Sequence, residues 1–338
     1  MAELTTREGL NQALADALEA DSRVLVFGED VGPLGGIFGV TRNLQHRFGA
    51  RRVFDTPASE AGIVGSAIGL ALAGFRPVVE MQFAAYSYPG LDQTISHLAK
   101  YTMRTKGRVS LPVVIRMPAG GGRMPKEHHG ESPDTYFAHT AGLKVVSPSG
   151  PLEAYDLLTQ AIRDPDPVVV LEPTSLYEVV EEGDPRANVL PMHQARVVRD
   201  GDAVTLVAYG AMLRECLAAA EALSSDGIHA QVLDLRSVSP LDVDSLRDCV
   251  RYTGRAVVVH EAARAFGPGA EISARITEEC FDRLEAPVER VASWDTPYPP
   301  PHLEYAWRPN ASRIAEAARR VVAYEPPSLE PPETDEFF

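Results

Sequence analysis

Glu60 opens a stretch that is otherwise apolar and small, EAGIVGSAIGLALAG, and no carboxylate in this chain is better placed to do chemistry. Ser59 before it is an N-cap type, able to accept a bond from a free first-turn amide. Gly62, Gly65 and Gly69 recur at three- and four-residue spacing, so they share one helical face and strip it of side chains. Each interior glycine costs about 1 kcal/mol against alanine, and close approach of another backbone or of a flat ligand would explain three of them. A carboxylate at the mouth of such a face lies against buried surface, where desolvation raises its pKa; the simpler role is to complement the helix dipole. Glu29 stands at the end of a short apolar strand, Val24 to Phe27, where the glycine-rich run GEDVGPLGGIFG begins. Strand ends are where ligands sit in α/β sheets. His128 and His129 fall in PAGGGRMPKEHHGESPD, a loop of the length used for lids and binding segments, and are either solvated or proton carriers.

Positioning these residues requires a sheet with helices on both faces. Thr5-x-x-Glu8 is a capping box, and Leu10, Ala13, Leu14, Ala17 and Leu18 share a helical face. The Glu60 helix follows the strand end Val53-Phe54. Pro77 to Phe83 alternates, with Glu80 and Gln82 on one face; Ala84 to Gly90 is an aromatic loop and Leu91 to Tyr101 a helix. Val113 to Met117, Lys144 to Val146 and Val168 to Leu171 read as further strands, the last two separated by a helix after Gly150. Residues 181–201 break the alternation and read as a linker. A second α/β set follows: strands at 204–209, 231–235, 256–260 and 288–292, helices at 212–223, 242–252 and 270–283. The expected architecture is α/β with two doubly wound domains, 1–180 and 202–324, and an acidic, proline-rich tail, 325–338. Gly267-Pro-Gly269 before a helix is a plain turn or a phosphate cradle.

Composition narrows the partners. The chain has 338 residues, 45% of them hydrophobic and 23% charged, with net charge −15. That acidity excludes nucleic acid and anionic membrane as partners and favours a basic protein. Cys216, Cys249 and Cys280 are odd in number and lack metal spacing, which implies reduced, buried thiols and a cytoplasmic location. No apolar run reaches the length of a membrane span or a signal peptide.

Taken in order, DTPASEAGIVGSAIG, FAAYSYPGLDQ, HHGESPD, AGLKVVSPS and AIRDPDPVVVLEP resemble the β subunits of the E1 component of 2-oxoacid dehydrogenase complexes, from about Leu4 to Tyr324. The resemblance implies a thiamine-diphosphate pyrimidine-binding domain followed by a transketolase C-terminal-like domain. It also implies an α2β2 assembly with an E1 α subunit, decarboxylation of a 2-oxoacid and transfer of the acyl group to lipoyl groups of an E2 partner. By that likeness Glu60 is the carboxylate that bonds N1′ of the pyrimidine and promotes the imino tautomer. Glu29, Ala58, Ser59, Gln82 and Tyr86 surround the ring. Phe83, Ala84, Ala85, Tyr86, His128, His129, Gly130 and Glu131 border the substrate, and His129 assists proton transfer. A potassium ion in some members corresponds to carbonyls of Leu111, Val113, Val114, Ala161, Asp164 and Asp166. Ala85 replaces the aspartate common in the family loop, and Gly130-Glu131 stand where serine and glutamine are common. The family's diphosphate and Mg2+ motif, Gly-Asp-Gly followed by paired asparagines, is absent, so those ligands are expected from the α subunit and the chain alone should be inactive. Phe83 to Pro89 resembles branched-chain enzymes; pyruvate and acetoin enzymes stay open. A nicotinamide oxidoreductase lacks its G-x-G-x-x-G, and a non-catalytic scaffold would have no use for Glu60, Tyr86 and His129.

Overall fold

The computed structural model describes residues 2–123, 125, 127–187 and 189–326, and the tail expected from residue 325 lies outside the described residues beyond 326. Strand β1 (Ala2–Thr5) leads into helix α1 (Thr6–Ala20), whose start is the capping box: Thr5 accepts from Glu8 N–H and Glu8 from Thr5 N–H. Then come β2 (Val24–Gly28), α2 (Leu44–Phe48), β3 (Val53–Asp55), α3 (Glu60–Leu72), β4 (Arg76–Glu80), α4 (Tyr101–Arg104), β5 (Val114–Ala119), α5 (Asp134–Ala138), β6 (Lys144–Val146), α6 (Pro151–Arg163) and β7 (Val168–Pro173). The second half runs β8 (Val180–Gly183), β9 (Arg196–Arg199), β10 (Val204–Ala208), α7 (Met212–Ser224), β11 (Ala230–Asp234), β12 (Ser237–Ser239), α8 (Val243–Thr253), β13 (Ala256–Ala263), α9 (Pro268–Cys280), β14 (Glu289–Ser293), α10 (Glu304–Trp307) and α11 (Ala311–Val322).

The first sheet has the order β12-β6-β7-β5-β4-β2-β3 and is parallel except for β12. Alternate strand residues feed opposite cores, as the two-residue period requires. Val26, Val78, Val114 and Val168 pack with Leu10, Leu14 and Leu158 of α1 and α6. Phe27, Val79, Ile115 and Val169 pack with Ile63, Val64 and Ala67 of α3. Leu14 and Val169 are fully buried; truncating such a leucine to alanine costs about 2–5 kcal/mol. The second sheet, β14-β13-β10-β11-β9, has α7 and α11 on one face and α8 and α9 on the other.

Two sequence expectations are corrected here. The 181–201 stretch holds β9 and the end of β8, which pair with β11 and β1 respectively, because both take ladder partners remote in sequence. Residues 91–101 do not form one α-helix: a π turn spans Gln93–Leu98 and α4 follows. Strand β12, from the second half of the chain, adds antiparallel to β6 of the first sheet. The turn before it is fixed by Arg236, fully buried, whose guanidinium bonds Glu153 and Asp156 of α6 at 2.6 Å each and the carbonyls of Pro191 and Gln194 at 2.8 Å. The three cysteines are free and buried, and no described helix is long and apolar enough to cross a membrane.

Gly267-Pro-Gly269 serves packing. A Cβ on Gly269 would stand 2.4 Å from the ring of His260, which is fully buried in β13 with neither nitrogen hydrogen-bonded among the described residues. Burial, then the charge of Arg290, pushes His260 down to about 4. Because the folded value lies below the unfolded one, the stability tied to the neutral ring is complete above about pH 6.5 and drains as pH falls toward 4, at up to about 1.4 kcal/mol per unit. Asp134 and Asp234, both pushed up to about 6 chiefly by burial, act in the opposite sense over part of that range. Comparing wild type with His260→Phe isolates the histidine. The loss of unfolding free energy between pH 7 and pH 4.5 should be larger for wild type than for the variant, and parallel pH profiles would contradict this account.

Candidate active site

In a parallel sheet the strands point one way, so their C-terminal ends meet along one edge. Glu29 follows β2, Gln82 follows β4, Gly120 follows β5 and Thr174 follows β7. Beneath this edge lies a buried charge network. Arg116 Nε and Nη2 each bond Glu172 at 2.7 Å, its Nη1 bonds Glu80, and Tyr177 OH donates to Glu172 at 2.7 Å. Burial pushes Glu80 up against the pull of Arg116. Desolvation also opposes charge on Arg116, but Glu172 and Glu80 more than offset it and keep the guanidinium ionised. Glu80 contacts the glycine-rich loop at Gly36, and Tyr177 stacks on Phe38 with centroids 5.0 Å apart, so the network supports the loop that starts at Glu29.

At the first turn of α3, Glu60 is half-buried while Ala58 and Ser59 are exposed. Ile63, Val64, Ala67 and Ala71 face the core, which turns Gly62, Gly65 and Gly69 outward. Among the described residues a Cβ at Gly69 would meet no atom within 4 Å and one at Gly65 only Gln93, at 3.9 Å. The expected cap is not made, since Ser59 forms no side-chain bond to a first-turn amide and its hydroxyl lies over Gly62 instead. Burial, and then the charges of Glu60 and Asp30, push the Glu29 carboxyl up. The two glutamates are therefore near enough to feel each other's charge. Gln82 turns to Asp30, donating at 2.7 Å, rather than to Glu29.

The aromatic segment and the histidine loop come together. Tyr86 OH and His129 Nε2 are hydrogen-bonded at 2.8 Å. Phe83 meets the His129 ring edge-on at 4.6 Å between centroids, and His128 stacks on His129 at 4.8 Å. Glu131 accepts from Tyr88 OH. Ala84 and Ala85 are buried, so the polarity lost with the family aspartate is lost at a covered position and only the rings of Phe83 and Tyr86 reach the site from this segment. Phe38, Phe83, Arg123, Pro125, His129 and Thr174 line a cavity of about 370 Å³. Phe38, Arg123, Pro125 and Thr174 were missed by sequence reasoning; for Thr174 the end of β7 in a parallel sheet was a usable signal. A larger cleft of about 700 Å³, near Thr135, Phe266 and Arg275, is bordered by Gly267 and Pro268 but by none of the residues expected around the cofactor ring, the substrate or a potassium ion.

The residues matched to a potassium site cluster at the opposite ends of the strands. Leu111, Val113 and Ala161 carbonyls accept from Val113, Val168 and Asp164 N–H, and the Asp164 carbonyl accepts from Arg76 at 2.8 Å. Lys144 Nζ lies 2.7 Å from the Asp164 carboxylate and 3.3 Å from that of Asp166. Lys144 thus already pairs with both carboxylates, and a cation would have to use the second lone pairs of the carbonyls.

Residues 2–179 match the family described as transketolase, pyrimidine binding domain, and residues 193–314 the transketolase C-terminal domain. A pyruvate dehydrogenase E1 component subunit beta from Leifsonia xyli is 50% identical over 94% of this chain and 94% of that relative. The chain belongs to the E1 β-subunit family of 2-oxoacid dehydrogenases. A 3-methyl-2-oxobutanoate dehydrogenase subunit beta from Mycobacterium tuberculosis is 49% identical over 94% of this chain and 92% of the relative. A solved split-gene transketolase, described as an inactive β4 tetramer, superposes with a TM-score of 0.77 at 21% identity over 94% of this chain and 98% of that chain, which shows a shared fold. Enzymes of this family use thiamine diphosphate.

Proposed function

We propose that this chain supplies the pyrimidine half of a thiamine-diphosphate site in a 2-oxoacid dehydrogenase and works only with an E1 α subunit. The observation that carries the reading is the meeting of two features at one sheet edge: the Glu29–Glu60 pair beside an uncovered glycine face, and the Tyr86–His129 contact beside an apolar cavity. The residues fit half of the cofactor. Exposed Ala58 and Ser59 and the bare face of α3 leave room for a flat ring, while among the described residues no three His, Cys, Asp or Glu side chains converge on a metal. Magnesium and the diphosphate would be held by the α subunit.

Thiamine diphosphate, when bound, supplies the electron sink for decarboxylation of a 2-oxoacid. Glu60 holds a proton at N1′ of the pyrimidine. Burial, and then the charges of Glu60 and Asp30, push the Glu29 carboxyl up beside it. Tyr86, hydrogen-bonded to Nε2, orients His129, and the imidazole can take or give a proton at the substrate oxygen. Phe38, Phe83 and Thr174 bound the space for the substrate side chain and exclude water. The acyl group then passes to lipoyl groups of an E2 docked on residues 202–324.

A cavity walled by two phenylalanines has more room than a methyl group fills, which favours a branched side chain. Each methylene well placed in an apolar pocket is worth about 1–3 kcal/mol. The reconstituted α/β complex should therefore show kcat/KM at least about tenfold higher for 3-methyl-2-oxobutanoate than for pyruvate. Equal values, or a preference for pyruvate, would overturn the branched-chain assignment, and absence of turnover with any 2-oxoacid would overturn the enzyme reading.

A potassium ion on the carbonyls of Leu111, Val113, Val114, Ala161, Asp164 and Asp166 would couple the end of α6 to β5 and β7. At one hundred times its dissociation constant such an ion adds about 2.7 kcal/mol of stability. The melting temperature should rise in potassium chloride relative to choline chloride at equal ionic strength; identical melting would rule out the site.

A further inference from the structure

The loop bearing His128 and His129 is held from behind by the second domain. Gly121 N–H donates to Glu261 Oε1 at 2.5 Å, and Gly122 N–H donates to Glu304. Arg308 lies 3.1 Å from Glu261, and Tyr298 OH donates to Glu304. At the base of the loop, Gly120 N–H bonds the Glu131 carbonyl at 3.0 Å, so the two ends of the loop are tied together. Both ends rest on one side chain. A Cβ on Gly121 would stand 2.3 Å from the Tyr298 hydroxyl, and a Cβ on Gly130 would stand 2.3 Å from Tyr298 Cζ. No side chain fits at such distances, which accounts for glycine at both positions, including the one where the family often has serine. Tyr298 is itself backed by Trp307, with ring centroids 5.1 Å apart, and is only 8% exposed. Burial, and then Glu304, push its hydroxyl above the usual range, so it stays a donor.

We propose that Tyr298 is a positioning residue for His129: the second domain, through this ring and the carboxylates beside it, sets where the imidazole stands relative to Tyr86 and the cavity. Gly130 is the residue next to His129, so the ring packs directly against the backbone that aims the imidazole. The assignment rests on the reading of His129 as the proton-handling group. It gives the second domain a part in catalysis apart from any docking role.

The test uses the assembled α/β complex with Tyr298→Ala, Tyr298→Phe, His129→Ala, Gly130→Ala and the corresponding doubles. Misplacement of a catalytic group by about 1 Å can cost 10²-fold. Tyr298→Ala should lower kcat about 10- to 100-fold with much less change in KM. Tyr298→Phe, which keeps the ring under Gly130, should recover most of that loss. Tyr298→Ala with His129→Ala should be no slower than His129→Ala alone, because the ring acts only through the imidazole. Gly130→Ala should slow turnover by itself, since its methyl would meet the Tyr298 ring at 2.3 Å and Pro125 at 2.8 Å. If His129→Ala is slow and Tyr298→Ala multiplies the loss, or leaves turnover at the wild-type level, Tyr298 does not position His129. If His129→Ala itself turns over normally, the proton-transfer role of His129 fails first and takes this inference with it.

Discussion

Arg116→Met should destabilise the chain by about 3–5 kcal/mol, the range found when one partner of a buried charge cluster is removed. Methionine nearly fills the space, so the loss comes from charge. Glu80 and Glu172 are 2% and 0% exposed and would be left facing each other without a counter-ion. At about 2–4 °C per kcal/mol for a domain of this size, the midpoint should fall by about 10 °C. The effect reaches the site. Glu172 orients Tyr177, Tyr177 stacks on Phe38, and Phe38 walls the cavity beside His129. Replacing all three charged residues by apolar ones of similar size should restore much of the stability, yet turnover of the α/β complex should stay low because the loop beyond Glu29 has lost its floor. Thermal unfolding measured beside turnover separates the two effects. A melting point within 1 °C of wild type for Arg116→Met would show that the network carries no such load.

Much of this was legible before the coordinates. The capping box at Thr5-Glu8, the alternation of strands and helices and the glycine face of α3 follow from local pattern, and local pattern is what sequence carries. The grouping of Tyr86 with His129 was legible only through family likeness, since forty-odd residues separate them. Long-range pairing was hidden. The pattern of 181–201 is polar and broken, and only its partners, β1 and β11, make strands of it. Glu80 looked like one of two polar residues on a strand face; that it faces Arg116 across the sheet depends on register between β4 and β5. Ser59 had the right side chain for a cap, but its backbone, at φ −158° and ψ 80°, turns the hydroxyl toward Gly62. The loop holding the triple glycine of residues 120–122 read as a lid or binding segment, but the reason for the glycines is steric and comes from Tyr298, Glu261 and Arg308 in the other half of the chain.

Glu60→Gln is expected to give the largest loss of function. Glutamine keeps the size and one hydrogen-bonding oxygen, and the exposed face of Gly62, Gly65 and Gly69 remains open, so cofactor affinity should fall only modestly. What is lost, on the proposed function, is the carboxylate that would hold a proton at N1′. Acid–base assistance of this kind is typically worth ~10²–10⁴-fold in rate. If Glu60 served only the dipole of α3, the substitution would change stability by about 0.3–1 kcal/mol and leave turnover near normal. The two expectations differ by orders of magnitude. Neighbouring Glu29 sharpens the comparison: with Glu60 neutral, one of the two charges that push Glu29 up is gone, and its titration should move down.

The measurement that bears most directly on the half-site account is hydrogen–deuterium exchange at C2 of thiamine diphosphate bound to the α/β complex, compared between wild type and Glu60→Gln by quenched-flow NMR. It reads proton removal alone, without substrate binding, acyl transfer or product release. Exchange slowed by ~10²–10⁴-fold in the variant, with cofactor still bound, is the result predicted here. Exchange at the wild-type rate would mean that Glu60 does not activate the cofactor, and the central assignment would be wrong.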